Sequence, residues 1–206
     1  MAVSIEETDD PEVNQAIVTS SVRLSFQWVE DRWVHALGWP STAAAVPLVQ
    51  SIDRHDEQDV PLSPAFQQLH MQALGSCQLA GLVGQAGHHH YSAAFTVDEQ
   101  PGAIVQINAD VADRRMKANE PAVPLVSTFE LALGAGQILE AGNNHVRWDC
   151  PGLNGKLSLE SLENEANLSV CELGPGRTHV QITVPPDPSN PTRRLVYRWT
   201  WVPTEH

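Results

Sequence analysis

The stretch SSVRLSFQWV, residues 20–29, decides the fold class of this chain. Apolar side chains stand at every second position in it, at Val22, Leu24, Phe26 and Trp28, with polar residues between them. Successive side chains of a strand point to opposite faces, so this period predicts a half-buried β-strand. Residues 32–39 resume the alternation after a short polar break, which predicts a hairpin.

The same period recurs through the rest of the chain. It is found in residues 89–97, 103–111, 125–133, 145–150, 156–162, 167–173, 178–184 and 193–203. Roughly ten short strands of this kind predict an all-β domain, built as an antiparallel β-sandwich or a closed β-barrel. Tryptophans share one face of both the opening and the closing strand, which suggests the hypothesis that these two strands are neighbours.

Composition divides the chain into three regions. Residues 1–19 are predicted to be a flexible acidic N-terminal segment, and residues 20–203 a single β domain. Within that domain, residues 41–87 read as a less regular insertion with one short helix near residues 64–74. Ser63 can cap this helix, Pro64 can start it and Gly75 can stop it.

The charge balance argues against nucleic acid as a partner. The chain has 12 basic and 25 acidic residues, a net charge of −13. A polyanion is repelled by such a surface. The first fifteen residues contain neither a basic residue nor an apolar run, so the expectation is a soluble, cytoplasmic protein that does not enter a membrane. Three cysteines without a C-x-x-C pair agree with a reducing compartment.

Three consecutive histidines stand at residues 88–90. On a strand, His88 and His90 point to the same side, as the two ligands of an H-x-H metal pair do, whereas His89 points to the other. A divalent metal site needs at least one further protein ligand. The candidates for it are His35, His145, His179 and Asp149. The alternative is that the histidines are the solvated beginning of a strand.

An aromatic set offers a second candidate site. If the apolar faces line a cavity, Trp28, Tyr197, Trp199 and Trp201 form an aromatic wall for a ligand. The alternative, which is favoured because large inward-facing apolar residues usually fill a core, is plain packing.

No nucleophile elbow, phosphate-binding loop, zinc-protease helix or dinucleotide fingerprint occurs in the sequence. The expected function is therefore non-enzymatic binding of an unidentified small molecule or protein. One alternative is a metal-dependent β-barrel enzyme that uses His88 and His90. Another is a structural or assembly subunit without a pocket.

Overall fold

Two antiparallel sheets of eight strands each make up the protein. The computed structural model describes residues 4–6, 15–40, 47–52, 63–74, 77–116, 122–134, 136–174 and 176–204. In the first sheet the strands lie in the order β1 (Ser4–Glu6), β2 (Gln15–Val18), β3 (Arg23–Val29), β4 (Arg32–Gly38), β5 (Val49–Ser51), β10 (Leu125–Ala132), β15 (Arg177–Val184) and β14 (Asn167–Gly174). In the second the order is β11 (Gln137–Ala141), β12 (His145–Cys150), β13 (Gly155–Ser161), β16 (Thr192–Pro203), β9 (Ile104–Arg115), β8 (His89–Gln100), β7 (Cys77–Ala86) and β6 (Gln68–Leu74).

The predicted all-β antiparallel fold is confirmed, and it is a sandwich. Each sheet keeps two edge strands, β1 and β14 in the first and β11 and β6 in the second, so the closed barrel is wrong. The two inner faces meet through aromatic rings. Phe129 of the first sheet lies 5.6 Å from the ring of Tyr197 and 5.3 Å from that of Trp199, both on β16 of the second. Large side chains between facing sheets are the usual core of a sandwich.

The opening and closing strands are not neighbours, which is a correction. β3 lies between β2 and β4 in the first sheet, and β16 lies between β13 and β9 in the second. A two-residue period tells which face of a strand is buried but carries no information about its ladder partner. The described residues alone contain sixteen strands instead of roughly ten, because short or weakly alternating strands escape the pattern.

The helix predicted near residues 64–74 is wrong. Residues Gln68–Leu74 are strand β6, paired with β7 along its whole length. The Ser63 hydroxyl does not cap a helix but bonds the backbone of Thr128 in the first sheet, accepting from its N–H at 3.2 Å. Leu69 and Met71 pack on the core, and with Ala73 they also satisfy a period of two. Pairing with a long neighbouring strand overrides the local helix signals. Apart from the 3₁₀ turn Pro151–Leu153, the described ranges contain no helix.

Two of the predicted region boundaries change as well. Residues Gln15–Val18 form β2, and Ala16 and Ile17 are fully buried there, so this part of the segment 1–19 belongs to the β domain rather than to a flexible tail. The supposed insertion 41–87 contains β5, β6 and β7. Residues 41–46, 53–62 and 75–76 of it, including the predicted helix stop Gly75, lie outside the described residues. No helix in the described part of the chain has the length and apolar character that crossing a bilayer requires.

One histidine lies in the middle of the apolar core. The ring of His35 on β4 is 4.7 Å from that of Phe95 and 5.7 Å from that of Phe129, measured between centroids. Its Nε2 is buried without a hydrogen-bond partner. Burial penalises the charged imidazolium and lowers the pKa of His35 from 6.5 to about 4. His35 is therefore neutral in the folded protein at neutral pH.

A buried ion pair ends the core at one side of the second sheet. Asp113 on β9 lies opposite Tyr91 on β8 and Arg193 on β16. Its carboxylate is 1% exposed and accepts hydrogen bonds from Arg193 and from His89 Nδ1, the latter at 2.9 Å. Tyr91 stacks on His89 with 6.1 Å between ring centroids. Burial, together with the negative charge of Asp113, raises the pKa of Tyr91 to about 12.

We expect His35 to make the protein less stable in mild acid. Its pKa is depressed by folding, from 6.5 to about 4, so the unfolded chain takes up the proton first. The contribution of neutral His35 to the free energy of unfolding is fully present above pH 6.5 and is lost as the pH falls toward 4. The loss amounts to about 3 kcal/mol in all, at 1.36 kcal/mol per pKa unit. Urea unfolding of the wild type, His35→Leu and His35→Gln at pH 7 and pH 4.5 measures this. The wild type should lose more stability than either variant, and parallel pH profiles would contradict the expectation.

We expect Asp113→Asn to destabilise the fold by about 3 kcal/mol, because Arg193 then remains buried without its counter-charge. Asp110→Asn is the matched control, since Asp110 pairs with Arg194 at 2.7 Å on the same two strands but is exposed. An exposed ion pair contributes under about 1 kcal/mol. Thermal or urea unfolding at pH 7 measures both variants. Equal losses of stability would show that the buried pair of Asp113 contributes no more than the exposed pair of Asp110.

Candidate functional site

The histidine run lies where β7 turns into β8. Ala86 and His89 close a two-residue turn of Gly87 and His88, and Gly87 has the positive φ of 57° that glycine tolerates best. His88 is therefore a turn residue, whereas His90 lies on the strand. Both side chains are exposed. His89 faces the inner side with Tyr91, as the alternation predicts, and it is the histidine that takes part in a buried network.

The structure does not supply the third metal ligand. Among the described residues, no group of three or more histidine, cysteine, aspartate or glutamate side chains is placed to hold a metal ion. The candidates lie elsewhere: His35 is in the core, His145 pairs with Glu140 at 3.0 Å, and His179 lies 3.6 Å from Glu130. Asp149 follows on β12, the strand of His145. A metal site with His88 and His90 as ligands therefore remains a prediction, and only these two ligands are named for it.

The four aromatic residues do not form one wall. Tyr197, Trp199 and Trp201 are buried on β16 of the second sheet. Trp28 lies on β3 of the first sheet, half-buried and edge-on to Trp33 at 5.6 Å. The three β16 residues pack against rings of the opposing sheet or of β12. Their role as direct ligand contacts stays a prediction.

A groove opens at the corner of the sandwich where two sheet edges meet. On one side are β14 and β15 at the edge of the first sheet, and on the other are β11 and β12 at the edge of the second. The groove is open to solvent and has a volume of about 650 Å³. We call it the corner groove; its lining residues are Leu133, Gly136, Gln137, Ile138, Trp148, Glu172, Gly174, Gly176 and Thr178.

A buried tryptophan is one of the residues that line the corner groove. Trp148 alternates inward on β12, is fully buried, and stacks on Trp199 with ring centroids 6.1 Å apart and planes inclined by 24°. Its indole Nε1 is buried and has no hydrogen-bond partner. Buried indole N–H groups usually find a partner. The Nε1 atom has almost no exposed surface, so this unpartnered donor is a buried feature of the core beside the groove and not an exposed contact for a ligand.

The polar side chains that line the groove are Glu172, Thr178 and Gln137, and they differ in whether they donate or accept hydrogen bonds. Thr178 and Glu172 face each other on β15 and β14; Thr178 is buried and Glu172 exposed. A carboxylate only accepts, whereas the Thr178 hydroxyl and the Gln137 amide both donate and accept. Glu172 is the one ionisable side chain among the described lining residues.

Two glycine-bearing turns form the lip of the corner groove. The Leu133 N–H donates to the Gly176 carbonyl at 3.0 Å, which ties the turn after β10 to the turn between β14 and β15. Gly176 has a φ of 71°, and a Cβ there would lie 2.2 Å from the carbonyl oxygen of Gly134. The backbones approach this closely because Gly176 carries no side chain, whereas a Cβ at Gly134 would meet nothing within 4 Å.

Sequence reasoning did not find this groove. The glycine-dense segments LGAG at 133–136 and GPG at 174–176 were readable signals, but they indicate turns without saying that the turns touch. The alternation in residues 145–150 predicts that Trp148 points to the buried face of its strand, and that orientation is confirmed. Its place beside Glu172 depends on which strands end up at the edges.

We expect Gly176→Ala to destabilise the fold more than Gly102→Ala. Both glycines have positive φ, 71° and 82°, but a Cβ at Gly102 meets nothing within 4 Å. Gly102→Ala therefore reports the backbone strain alone, about 1–2 kcal/mol, whereas Gly176→Ala adds a collision with Gly134. Urea unfolding at pH 7 compares the two, and equal losses would mean that the lip is not closely packed.

Comparison with known proteins identifies the fold and goes no further. No family model matches the chain, and no curated protein matches it. A mutant heparan sulfate lyase from Pedobacter heparinus superposes with a TM-score of 0.52 at 7% identity, over 98% of this chain and 38% of the lyase. A 4-alpha-glucanotransferase from Thermococcus litoralis superposes with a TM-score of 0.50 at 9% identity, over 97% of this chain and 39% of that enzyme. The chain thus spans about two fifths of the solved chains that it resembles, and at such identities the likeness concerns the fold alone.

Proposed function

We propose that this protein is a non-catalytic module that binds a small molecule in the corner groove. The observation that carries the proposal is the groove itself, which has a volume of about 650 Å³ and is lined by both apolar and polar side chains. Ligand sites are clefts of about 300–1,000 Å³ in which a few polar groups orient the ligand against apolar surface. Leu133 and Ile138 supply apolar surface of that kind.

The lining chemistry favours binding over catalysis. Acid–base catalysis and nucleophilic catalysis need two or more cooperating groups within hydrogen-bond reach. The described groove lining has one titratable side chain, Glu172. The two solved structures that share the fold are named as a heparan sulfate lyase and a 4-alpha-glucanotransferase, but the chain corresponds to a minor part of each, so those activities are not carried over.

The alternatives are less well supported. A metal-dependent enzyme at His88 and His90 has no third ligand within the described residues. A pocketless assembly subunit does not account for the groove, although Leu139 and Leu173 on edge strands β11 and β14 are about half exposed.

Filling the groove should abolish binding. We expect Thr178→Trp to occupy the corner groove from within, because Thr178 is buried against it. Thr183→Trp is the matched control, since Thr183 lies on the same strand with opposite side-chain parity and does not line the groove. Ligand-observed NMR with a library of small polar compounds measures binding to both. Compounds that bind the wild type should bind Thr183→Trp equally and Thr178→Trp at least tenfold more weakly.

The indole N–H signal of Trp148 provides a direct readout. It is one of six tryptophan signals and is assigned by its loss in Trp148→Phe. A ligand that reaches the groove should shift it. Compounds that bind Thr178→Trp as well as wild type, or that leave this signal unmoved, would contradict the proposal.

A further inference from the structure

We infer that the core of the sandwich contains a binding site for one water molecule, in a cavity beside His35 that both sheets enclose. The site is separate from the corner groove, because the two have no lining residue in common. The inference goes beyond the proposed function and does not depend on it, since it concerns the polar groups that the sandwich buries.

The cavity lies between the inner faces of the two sheets. Its volume is about 10 Å³, which is about the space that one water molecule needs. Nine of its ten lining residues are buried, so a molecule in the cavity is surrounded by protein. Its walls include His35, Ser51 and Ser127 of the first sheet and Phe95, Val111 and Tyr197 of the second.

Two serines at inward-facing positions create the space. The odd-numbered residues of β10 face the core, and most of them are large, such as Phe129 and Leu131. Ser127 occupies one of these inward positions, and Ser51 lies opposite Phe129 on β5; both serines are buried. Because a serine is much smaller than a leucine or a phenylalanine, room is left between the sheets, and each serine adds a hydroxyl to the cavity.

The other polar residues of the cavity need hydrogen-bond partners. His35 Nε2 and the Tyr197 hydroxyl are buried, and neither makes a hydrogen bond of normal geometry within the described residues. Burial raises the pKa of Tyr197 above its ordinary value, and the Ser127 hydroxyl partly offsets that rise, so the two hydroxyls are neighbours. Ser51 Oγ accepts from the backbone N–H of His35 at 3.1 Å, and its own proton is still available to donate.

The size and polarity of the cavity together favour water as its occupant. Cavities that stay empty have apolar walls, whereas this one combines an imidazole with hydroxyl groups. A neutral imidazole nitrogen donates or accepts according to its tautomer, and a hydroxyl does both. A water molecule can donate and accept at once, so it serves every combination of these groups, and a larger ligand does not fit. By bridging buried groups it removes the cost of leaving them unpartnered.

Oxygen-17 magnetic relaxation dispersion of the full chain tests the inference, because it counts the water molecules that stay bound for longer than the protein takes to tumble. We expect Val111→Ile to lower the count by one, since its additional methyl group takes up the space in the cavity. Ser127→Val fills the cavity from the opposite sheet and should have the same effect. Val184→Ile is the matched control, because Val184 is buried in the same core without lining the cavity, and it should leave the count unchanged.

A wild-type count of zero overturns the inference, and so does a count that neither cavity-filling variant lowers. Urea unfolding gives a second readout. With water in place, Tyr197→Phe should lower the urea midpoint, because it removes a partner of the water. In an empty cavity the same change deletes a hydroxyl without a partner, so a raised midpoint also overturns the inference. Tyr197→Phe adds no atom, and its effect can still be measured if a filling variant does not fold, which circular dichroism checks.

Discussion

The contact of Phe129 with two rings of β16 is the interaction on which the rest of the structure depends. Phe129 belongs to the first sheet, and it meets Tyr197 and Trp199 of the second edge-on, at 5.6 and 5.3 Å. Such pairs contribute about 0.5–1.5 kcal/mol each beyond the burial of their surface. They also fix how the sheets face each other. Trp199 in turn supports Trp148, so the position of the groove floor follows from the packing of the core.

The corner groove exists because the side chains become small where the sheets end. Deep in the sandwich, rings such as Phe129 and Trp199 fill the space between the sheets. At the edge formed by β11 and β14, the lining includes three glycines. A Cβ at Gly174 would meet nothing within 4 Å, whereas at Gly136 and Gly176 it would collide with neighbouring backbone. Volume is left over where the core would otherwise be packed to the density usual for protein interiors.

The polar side chains buried in the sandwich differ in whether they have hydrogen-bond partners. Asp113 is stabilised by Arg193 and His89 at the end of the core, where two donors compensate the cost of burying a carboxylate. His35 lies among phenylalanines with an unpartnered nitrogen and avoids the larger cost by remaining neutral. The indole N–H of Trp148 also lacks a partner, and it is buried beside the corner groove with almost no exposed surface.

The sequence by itself determined the fold class and the inner face of each clear strand, because a period of two in residues such as Leu24, Phe26, Val146 and Trp148 depends only on backbone geometry. The sequence did not determine which strands pair, and the structure places β3 and β16 in different sheets. It also did not determine strands such as β6, because the residues of β6 fit a helical pattern as well and become a strand through pairing with β7. The corner groove was decided by the tertiary structure alone. Trp148 and Glu172 come from different sheets, and only the order of the strands places both edges at one corner.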